Sequence, residues 1–369
     1  MINRVLNQLI LSSRVVFLWP TLLMFADGVK AQSGPLIIHG SFMVDANQAG
    51  PYYDNKDQTI QSYVLRSSKL SMEYGFTKTI TSKLQFEYDS DIHDQDMIEI
   101  EDVVSDAYGE IEIGKKFQLR LGKMKQVAGF ERNTSSRNLS TLERSMVSST
   151  FFSGRDMGIK LYRHKKSFGW SLGLFEGQDE HQKSLQGFFY VTYQPYQVGI
   201  TVIKKDLDNE LFQLKSSGEI NSADNIIRSA RFYAKDSITM AIEGVYQYAH
   251  WRLHMNYAQM HIQQTLGDDF QYQGGFIQLS HSSSSIYKYS KGKQKQLEQG
   301  WEYVVRFSAL DLSRKETGSQ ASLVSVGINY YQGNGFKYMA NVLSPQIKGQ
   351  VASLDQGGLG LGFRLQCQF

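Results

Sequence analysis

"GLGLGFRLQCQF", residues 358–369, ends the chain on a strict two-residue alternation of apolar and other side chains. The apolar parity carries Leu359, Leu361, Phe363, Leu365, Cys367 and Phe369. Because successive side chains of a β-strand point to opposite faces, this segment predicts a strand with one wholly apolar face. In a soluble domain that face would meet a packed core. In an outer-membrane barrel it would meet lipid, and the polar face would line the lumen. These last residues leave both alternatives open.

The same alternation recurs along the chain in segments of about ten residues, separated by clusters of Gly, Asn and Asp. That length suits a tilted membrane strand. Clear examples lie at 80–89, 117–121, 157–162, 168–174, 301–308 and 336–342. The apolar parity often ends in Trp, Tyr or Phe, as the aromatic girdles of a membrane barrel require. The roughly sixteen to eighteen candidate strands predict an all-β fold, a transmembrane antiparallel β-barrel wide enough for an aqueous channel.

The composition agrees with this interpretation. The 369 residues include 32 glycines, 21 tyrosines and 21 phenylalanines but only 5 prolines, a balance typical of barrels. No run of 18 apolar residues follows the N-terminal segment, which argues against transmembrane helices. The formal net charge is +3, and no basic excess points to nucleic acid as a partner.

The first 31 residues have the pattern of a signal peptide. Arg4 and Arg14 precede the apolar stretch 15–26, and Val29-Lys30-Ala31 offers small residues for cleavage. An uncleaved membrane anchor is the alternative, against which Pro20 and the short apolar core argue. We therefore expect a signal peptide at 1–31, a single barrel domain at 32–369 and export to the outer membrane.

The connections between predicted strands differ in length. They are tight at 165–167 and 333–335 but long at 47–61, 125–154, 219–236 and 284–297. Tight and long connections are typical of periplasmic turns and extracellular loops, respectively. We therefore expect the long segments to be extracellular loops.

Several segments resemble one family of Gram-negative outer-membrane channels, the phosphate-selective porins O and P. The most specific are "VVSDAYGEIEIGKKFQLRLGKMKQVAGFE" at 103–131 and "TSSRNLSTLERSMV" at 134–147, and the resemblance extends over about residues 37–369. It implies a homotrimer of sixteen-stranded barrels whose third loop folds into the lumen, where Lys and Arg bind anions without cofactor or catalysis. It also implies that barrel-assembly machinery recognises Phe369.

Candidate site residues come from parity and from the resemblance. The resemblance places the inward loop at about 125–152, with Lys123 at its base. The predicted anion-binding constriction comprises Lys69, Lys123, Lys125, Arg137 and Arg144. Parity predicts further lumen-lining cations: Lys83, Arg120, Lys160, Arg252, Arg306, Lys337 and Arg364.

These assignments have less specific alternatives. Wall lysines can be ordinary solvated lumen charge, and we expect Arg144 to fix the loop by pairing with Glu143 or a wall carboxylate. Arg66 has the wrong parity for the lumen. Its possible positions are therefore a β-bulge, the membrane interface or a contact between subunits.

Two features of the sequence differ from what the family resemblance leads one to expect. The family usually has Pro-Phe-Gly where this chain has Val127-Ala128-Gly129, so the start of the inward loop is expected to bend differently. The acidic stretch "EYDSDIHDQDMIEIEDVVSD" at 87–106 would oppose anions near a lumen mouth.

The sequence thus predicts passive diffusion of small anions, phosphate, pyrophosphate or polyphosphate, through a barrel in outer-membrane lipid. The alternatives are a general diffusion porin, a structural barrel or adhesin, and a soluble β-rich protein. The Gly-x-Ser-x-Gly match at residues 169–173 lies within a predicted β-strand, whereas a hydrolase nucleophile needs a strand-to-helix turn, so it does not support an enzyme. His250 and His254 would lie about 13 Å apart along a strand, too far to share a metal.

Overall fold

Sixteen antiparallel strands close into a barrel, which confirms the predicted fold class. The computed structural model describes residues 34, 36–50, 60–89, 100–114, 116–177, 182–221, 223–284, 287–290, 292–295, 297–315, 317–349 and 358–369. The predicted signal peptide lies outside these residues. In the described chain, no helix is long and apolar enough to cross a membrane.

The elements follow in chain order. The barrel strands are β1 Ile37–Ala49, β2 Ile60–Gly75, β3 Ile80–Asp89, β4 Val104–Ile113, β5 Phe117–Lys125, β6 Arg155–His164, β7 Phe168–Glu176, β8 Lys183–Tyr193, β9 Tyr196–Phe212, β12 Phe232–Tyr248, β13 Trp251–Gln264, β14 Phe270–Ser282, β17 Gly300–Asp311, β18 Ser319–Gly333, β19 Phe336–Gly349 and β20 Gly360–Gln368. Two small hairpins are β10 Lys215–Ser216 with β11 Ile227–Arg228, and β15 Tyr289–Ser290 with β16 Lys293–Gln294. The helices are α1 Ile100–Val103, α2 Phe130–Asn133 and α3 Met146–Phe151, with a 3-10 helix at Ser136–Asn138.

The C-terminal strand closes the barrel because β20 pairs with both β1 and β19. Its alternation has the expected result: Phe363 and Leu365 are exposed on the outer surface, whereas Arg364 and Gln366 are buried inside. Phe369 continues the pairing through two main-chain hydrogen bonds to Gly40, each 3.0 Å long.

The two ends of the barrel differ in their connections. Tight turns at 76–79, 165–167, 194–195, 249–250 and 334–335 lie at one end, which we call the turn end. The opposite, loop end carries 126–154 and 213–231. The segment 283–299 joins β14 to β17, the twelfth and thirteenth strands of the barrel, and therefore belongs to the turn end. The expectation that 284–297 is an extracellular loop was wrong, because length alone does not reveal the end from which a connection emerges.

Much of the lumen is filled by packed apolar side chains. α3 contributes Met146, Val147 and Phe151 to a buried cluster that includes Ile227 of β11 and Leu310 of β17. A barrel wall that meets protein instead of water can carry apolar residues on its inner face, and the inner faces of β9 to β19 do so at the loop end. The open part of the lumen is consequently displaced toward β1–β5.

Candidate functional site

The connection between β5 and β6, residues 126–154, folds into the barrel, and we call it the inward loop. Its base is closed by a hydrogen bond from the Gln126 N–H to the Gly154 carbonyl oxygen (3.2 Å). The N–H groups of Phe130 and Glu131 donate to the Glu243 carboxylate on β12. A Cβ atom on Gly129 would lie 1.5 Å from Oε2 of Glu243. Only glycine therefore allows this close approach.

The missing proline of the family pattern has a structural counterpart. The N–H of Val127 donates to Oε1 of Gln186 over 2.8 Å, and its side chain is buried beside Phe130. Proline has no N–H to donate. Valine thus begins the loop with a hydrogen bond that the usual family residue could not form.

Four buried cations of the wall fix the inward loop. Arg306 pairs with Glu131 of the loop at 2.8 Å and with Glu219 at 3.1 Å. Arg364 pairs with Asp45 of β1 and with Glu143 of the loop, each at 2.7 Å. The other two donate to the loop as well: Lys337 to the Leu139 carbonyl and Arg252 to the Ser140 hydroxyl. Arg306, Lys337 and Arg364 point inward as predicted, but they are at most 3 % exposed and lie beneath the loop.

The loop carboxylates show the effect of these cations. Burial alone would raise the pKa of Glu143, but Arg66 and Arg364 outweigh it and hold that pKa below its ordinary value. Burial would also raise the pKa of Glu131, but the positive charge of Arg306 outweighs it, and the pKa is lowered. At Glu219 burial prevails over Arg306, and the pKa is raised. One guanidinium shared between two carboxylates therefore stabilises the charge of Glu131 more than that of Glu219.

Arg66 reaches the interior through a β-bulge. Met43 pairs with Ser67 and Val44 with Leu65, so Arg66 is the extra residue of β2. A bulge re-aims side chains locally, and the guanidinium donates to both oxygens of Glu143, at 2.7 and 3.1 Å. Of the three positions left open by the sequence, the bulge is confirmed.

An open passage remains between the inward loop and the wall formed by β1–β5. It contains a cavity of about 670 Å³. Among the described residues that line it, three are acidic: Glu73, Asp106 and Glu110. Eight are basic: Lys69, Lys83, Arg120, Lys125, Arg137, Arg155, Lys293 and Lys295. This basic excess contrasts with the nearly balanced charge of the whole chain.

A chain of ion pairs runs along this wall. Lys69 and Arg155 contact Glu87 at 2.5 and 3.2 Å. Arg155 and Lys83 contact Asp106 at 2.7 and 3.4 Å. Carboxylates that the sequence predicts to oppose anions are thus partly neutralised.

Arg120 forms a second group on the same wall. Its guanidinium pairs with Glu110 and lies 3.9 Å from the ring centroid of Tyr108.

Three predicted cations lack such partners. Among the described carboxylates, none lies within 4.0 Å of a charged nitrogen of Lys125, Lys160 or Arg137. The Lys125 ammonium approaches the Thr134 carbonyl oxygen at 3.5 Å, and Lys160 donates to the Lys125 carbonyl at 2.8 Å. Arg137, on the 3-10 helix of the loop, faces the passage opposite the wall, and burial lowers its pKa against the attraction of Glu73. Lys125 and Arg137 therefore line the passage without a carboxylate partner among the described residues.

Lys123 and Arg144 lie elsewhere. In the register, Lys123 is opposite Ala107 and Met157, and it is not among the described residues that line the passage. Its place at the constriction stays a prediction. Arg144 donates to the Thr134 carbonyl at 2.7 Å. It contacts the loop itself instead of a wall carboxylate.

Sequence reasoning missed three passage cations, Arg155, Lys293 and Lys295. Arg155 shares the parity of the outward-facing Ile159, but it is the first residue of β6, where the chain leaves the inward loop. Its position directly after a predicted inward loop was the available signal. The two lysines belong to "KYSKGKQKQ", 288–296, in the segment expected at the other end.

The family model for phosphate-selective porin O and P matches residues 38–369. None of the curated proteins matches the chain significantly.

Solved structures of similar fold include porins and other outer-membrane proteins. An anion-selective porin from Comamonas acidovorans superposes with a TM-score of 0.62 at 10% identity, covering 92% of this chain and 100% of that one. The channel DcaP of Acinetobacter baumannii has a TM-score of 0.58 at 9% identity, with 92% and 99% covered. OmpT of Vibrio cholerae, in vitro folded and in its trimer form, has a TM-score of 0.59 at 9% identity, with 91% and 99% covered.

Proposed function

This chain belongs to the phosphate-selective porin O and P family, and we propose that it conducts small anions, phosphate or polyphosphate among them, by passive diffusion. Family and fold point to the bacterial outer membrane and to a channel instead of an enzyme. In this proposal the turn end faces the periplasm and the loop end faces the exterior.

The observation that carries the proposal is the charge of the passage. Eight basic side chains and three acidic ones surround the cavity, and Lys125 and Arg137 face it without a described carboxylate partner. An anion that sheds water in a confined pore needs such compensating charge. Arg137 offers a planar fork for phosphate oxygens, whereas Lys125 offers a point charge.

Release matters as much as binding. Glu87 and Asp106 hold Lys69, Lys83 and Arg155 within the wall, so these cations attract an anion less strongly than free ones would. A pore must bind its solute weakly enough to let it leave. We infer that the paired wall guides anions and that Lys125 with Arg137 forms the selective step.

Two assembly features complete the proposal. The trimer form of one structural neighbour supports a homotrimer. The side chain of Phe369 is 75% exposed at the end of β20, which leaves it accessible to barrel-assembly machinery.

Electrical recordings of the channel test the proposed anion conduction. Detergent-purified protein is inserted into a planar bilayer, the reversal potential is recorded under a KCl gradient, and phosphate is titrated against the chloride current. We expect chloride selectivity and a phosphate block. Lys125→Gln and Arg137→Gln should each weaken that block by at least about tenfold, since a charge-assisted hydrogen bond contributes about 1.5–3 kcal/mol.

Lys348→Gln is the matched control, because Lys348 is exposed on the outer face of β19 and does not line the passage. A reversal potential near zero or cation-selective, without phosphate block, would reject anion conduction and leave a general diffusion porin on the same barrel.

A further inference from the structure

A second cavity, of about 1100 Å³, opens at the turn end on the side of β6–β9. We call it the turn-end cavity. Its volume is of the size that small-molecule sites reach. Unlike the passage, its described lining contains no carboxylate.

The hairpin formed by β15 and β16 lies between the two cavities, since Tyr287, Lys288 and Gly292 line the turn-end cavity and Lys293 and Lys295 line the passage. The hairpin formed by β15 and β16 crosses the lumen, and its main chain and side chains bond to the inward loop: the Gln294 N–H donates to the Thr134 hydroxyl at 3.0 Å. At the hairpin tip Gly292 has φ +69°, and a Cβ atom there would lie 3.0 Å from the ring of Tyr190 on β8. The tip therefore rests against the opposite wall.

Tyr190, which lines the turn-end cavity, also contacts the inward loop. Phe130 of the inward loop packs on Phe188 and Tyr190 with ring centroids 5.5 and 5.8 Å apart. These rings belong to a buried cluster with Val127 and Val245. None of the described residues that line the turn-end cavity also lines the passage, so the two cavities are distinct candidate binding places.

The lining combines two chemistries. Aromatic rings come from His164, Tyr190 and Tyr287, and the His164 and Tyr190 rings stack at 5.8 Å. Positive charge comes from Lys165 and Lys166, on the exposed turn between β6 and β7, and neither makes an ion pair with a described carboxylate. Lys288 also lines the cavity, but Glu298 already neutralises it at 2.5 Å.

We propose that the turn-end cavity binds an anion that carries an aromatic ring, an aryl phosphate ester being the simplest example. The ring packs beside His164 and Tyr287, and Lys165 and Lys166 take the phosphate at the mouth. Aromatic pairs favour such a ligand beyond its apolar area. The site does not depend on anion conduction, because binding needs no passage through the pore.

The experiment is isothermal titration of the purified full-length protein in detergent with phenyl phosphate, and with cyclohexyl phosphate as the non-aromatic ester of similar size. We expect phenyl phosphate to bind about fivefold more tightly, from an aromatic contribution of about 0.5–1.5 kcal/mol. The Lys165→Gln/Lys166→Gln double variant should weaken its binding about fivefold. These lysines are exposed, so the variant is expected to fold normally.

Lys348→Gln serves as the control and should leave phenyl phosphate binding unchanged. Lys125→Gln, which weakens binding in the passage, distinguishes the two sites. Equal affinity for the two esters would overturn the proposal. So would binding that persists in the double lysine variant or that is lost with Lys125→Gln, because the ester would then occupy the passage. A failure of anion conduction in the bilayer would affect none of these readings.

Discussion

The attachment of the inward loop at Glu143 gives the sharpest prediction. This carboxylate accepts three charge-assisted hydrogen bonds, two from Arg66 at 2.7 and 3.1 Å and one from Arg364 at 2.7 Å. Glu143→Gln keeps the shape of the side chain but removes the charge, and its amide NH2 then faces guanidinium donors. Arg364 retains its two bonds to Asp45. The loss therefore falls mainly on Arg66 and on the loop.

The magnitude follows from that geometry. Removing one partner of a buried ion pair costs about 3–5 kcal/mol. The side chains of Arg66 and Glu143 are 14% and 16% exposed, so the lower end, about 3 kcal/mol, is appropriate. We expect the unfolding free energy in urea, measured in lipid vesicles, to fall by that amount. The single-channel current at pH 7 should flicker between levels as the loop detaches.

Acidification should reproduce the effect in the unchanged protein. Because the pKa of Glu143 is lowered in the folded state, its contribution to stability is complete above the pKa of an unfolded Glu, about 4.3. That contribution is lost as the pH falls through the folded value. The current should therefore remain quiet at pH 5 and become noisy only in stronger acid.

Glu298→Gln is the control for Glu143→Gln, since it neutralises a carboxylate in an exposed pair with Lys288. It should change neither the unfolding curve nor the current. A Glu143→Gln channel with unchanged stability and a quiet current would refute the assignment of Glu143 as the anchor of the loop.

Three further substitutions test the same site. Gly129→Ala should displace α2 from Glu243 at a cost of about 1–3 kcal/mol in unfolding free energy. The displacement would appear as faster proteolysis within residues 126–154, and a cleavage rate equal to that of the unchanged protein would contradict the close contact between Gly129 and Glu243. Val127→Pro restores the family residue but removes the N–H bonded to Gln186. The unfolding free energy should therefore fall by about 1–3 kcal/mol, and an increase in that free energy would argue against a stabilising role for the hydrogen bond. Arg306→Met leaves Glu131 and Glu219 without their shared cation and should cost about 3–5 kcal/mol in urea unfolding, whereas Arg314→Met, at the exposed loop end, should cost much less.

Alternation alone predicted the barrel, since a period of two fixes which side chains meet lipid and which meet the lumen. Leu365 and Arg364 show this directly, one exposed outside and the other buried inside. The same rule failed where the backbone leaves the regular pleat. Arg66 turns inward at a bulge. Lys125 and Arg155 face the passage at strand ends, beside the inward loop.

A different reason explains why the barrel end at which the hairpin formed by β15 and β16 lies could not be predicted. A long connection carries no local mark of the barrel end from which it emerges, and only the count of strands before it decides. A miscount by one strand moves the connection to the other end. Lys293 and Lys295 were therefore recognised as basic residues of a loop, but not as part of the passage.

Parity also cannot tell which inward cations remain available to a solute. Arg252, Arg306, Lys337 and Arg364 share the inward face with Lys69 and Lys83, yet they are buried under the inward loop. The loop brings its own carboxylates, Glu131 and Glu143, to meet them. The charges of one half of the lumen thus cancel during folding, and the attraction for anions arises from the cations that remain in the other half. Under the proposed function, anion preference is consequently a property of how the loop is fixed. Detaching the loop at Glu143 should expose Arg66 to the lumen, widen the passage and weaken the discrimination between phosphate and chloride.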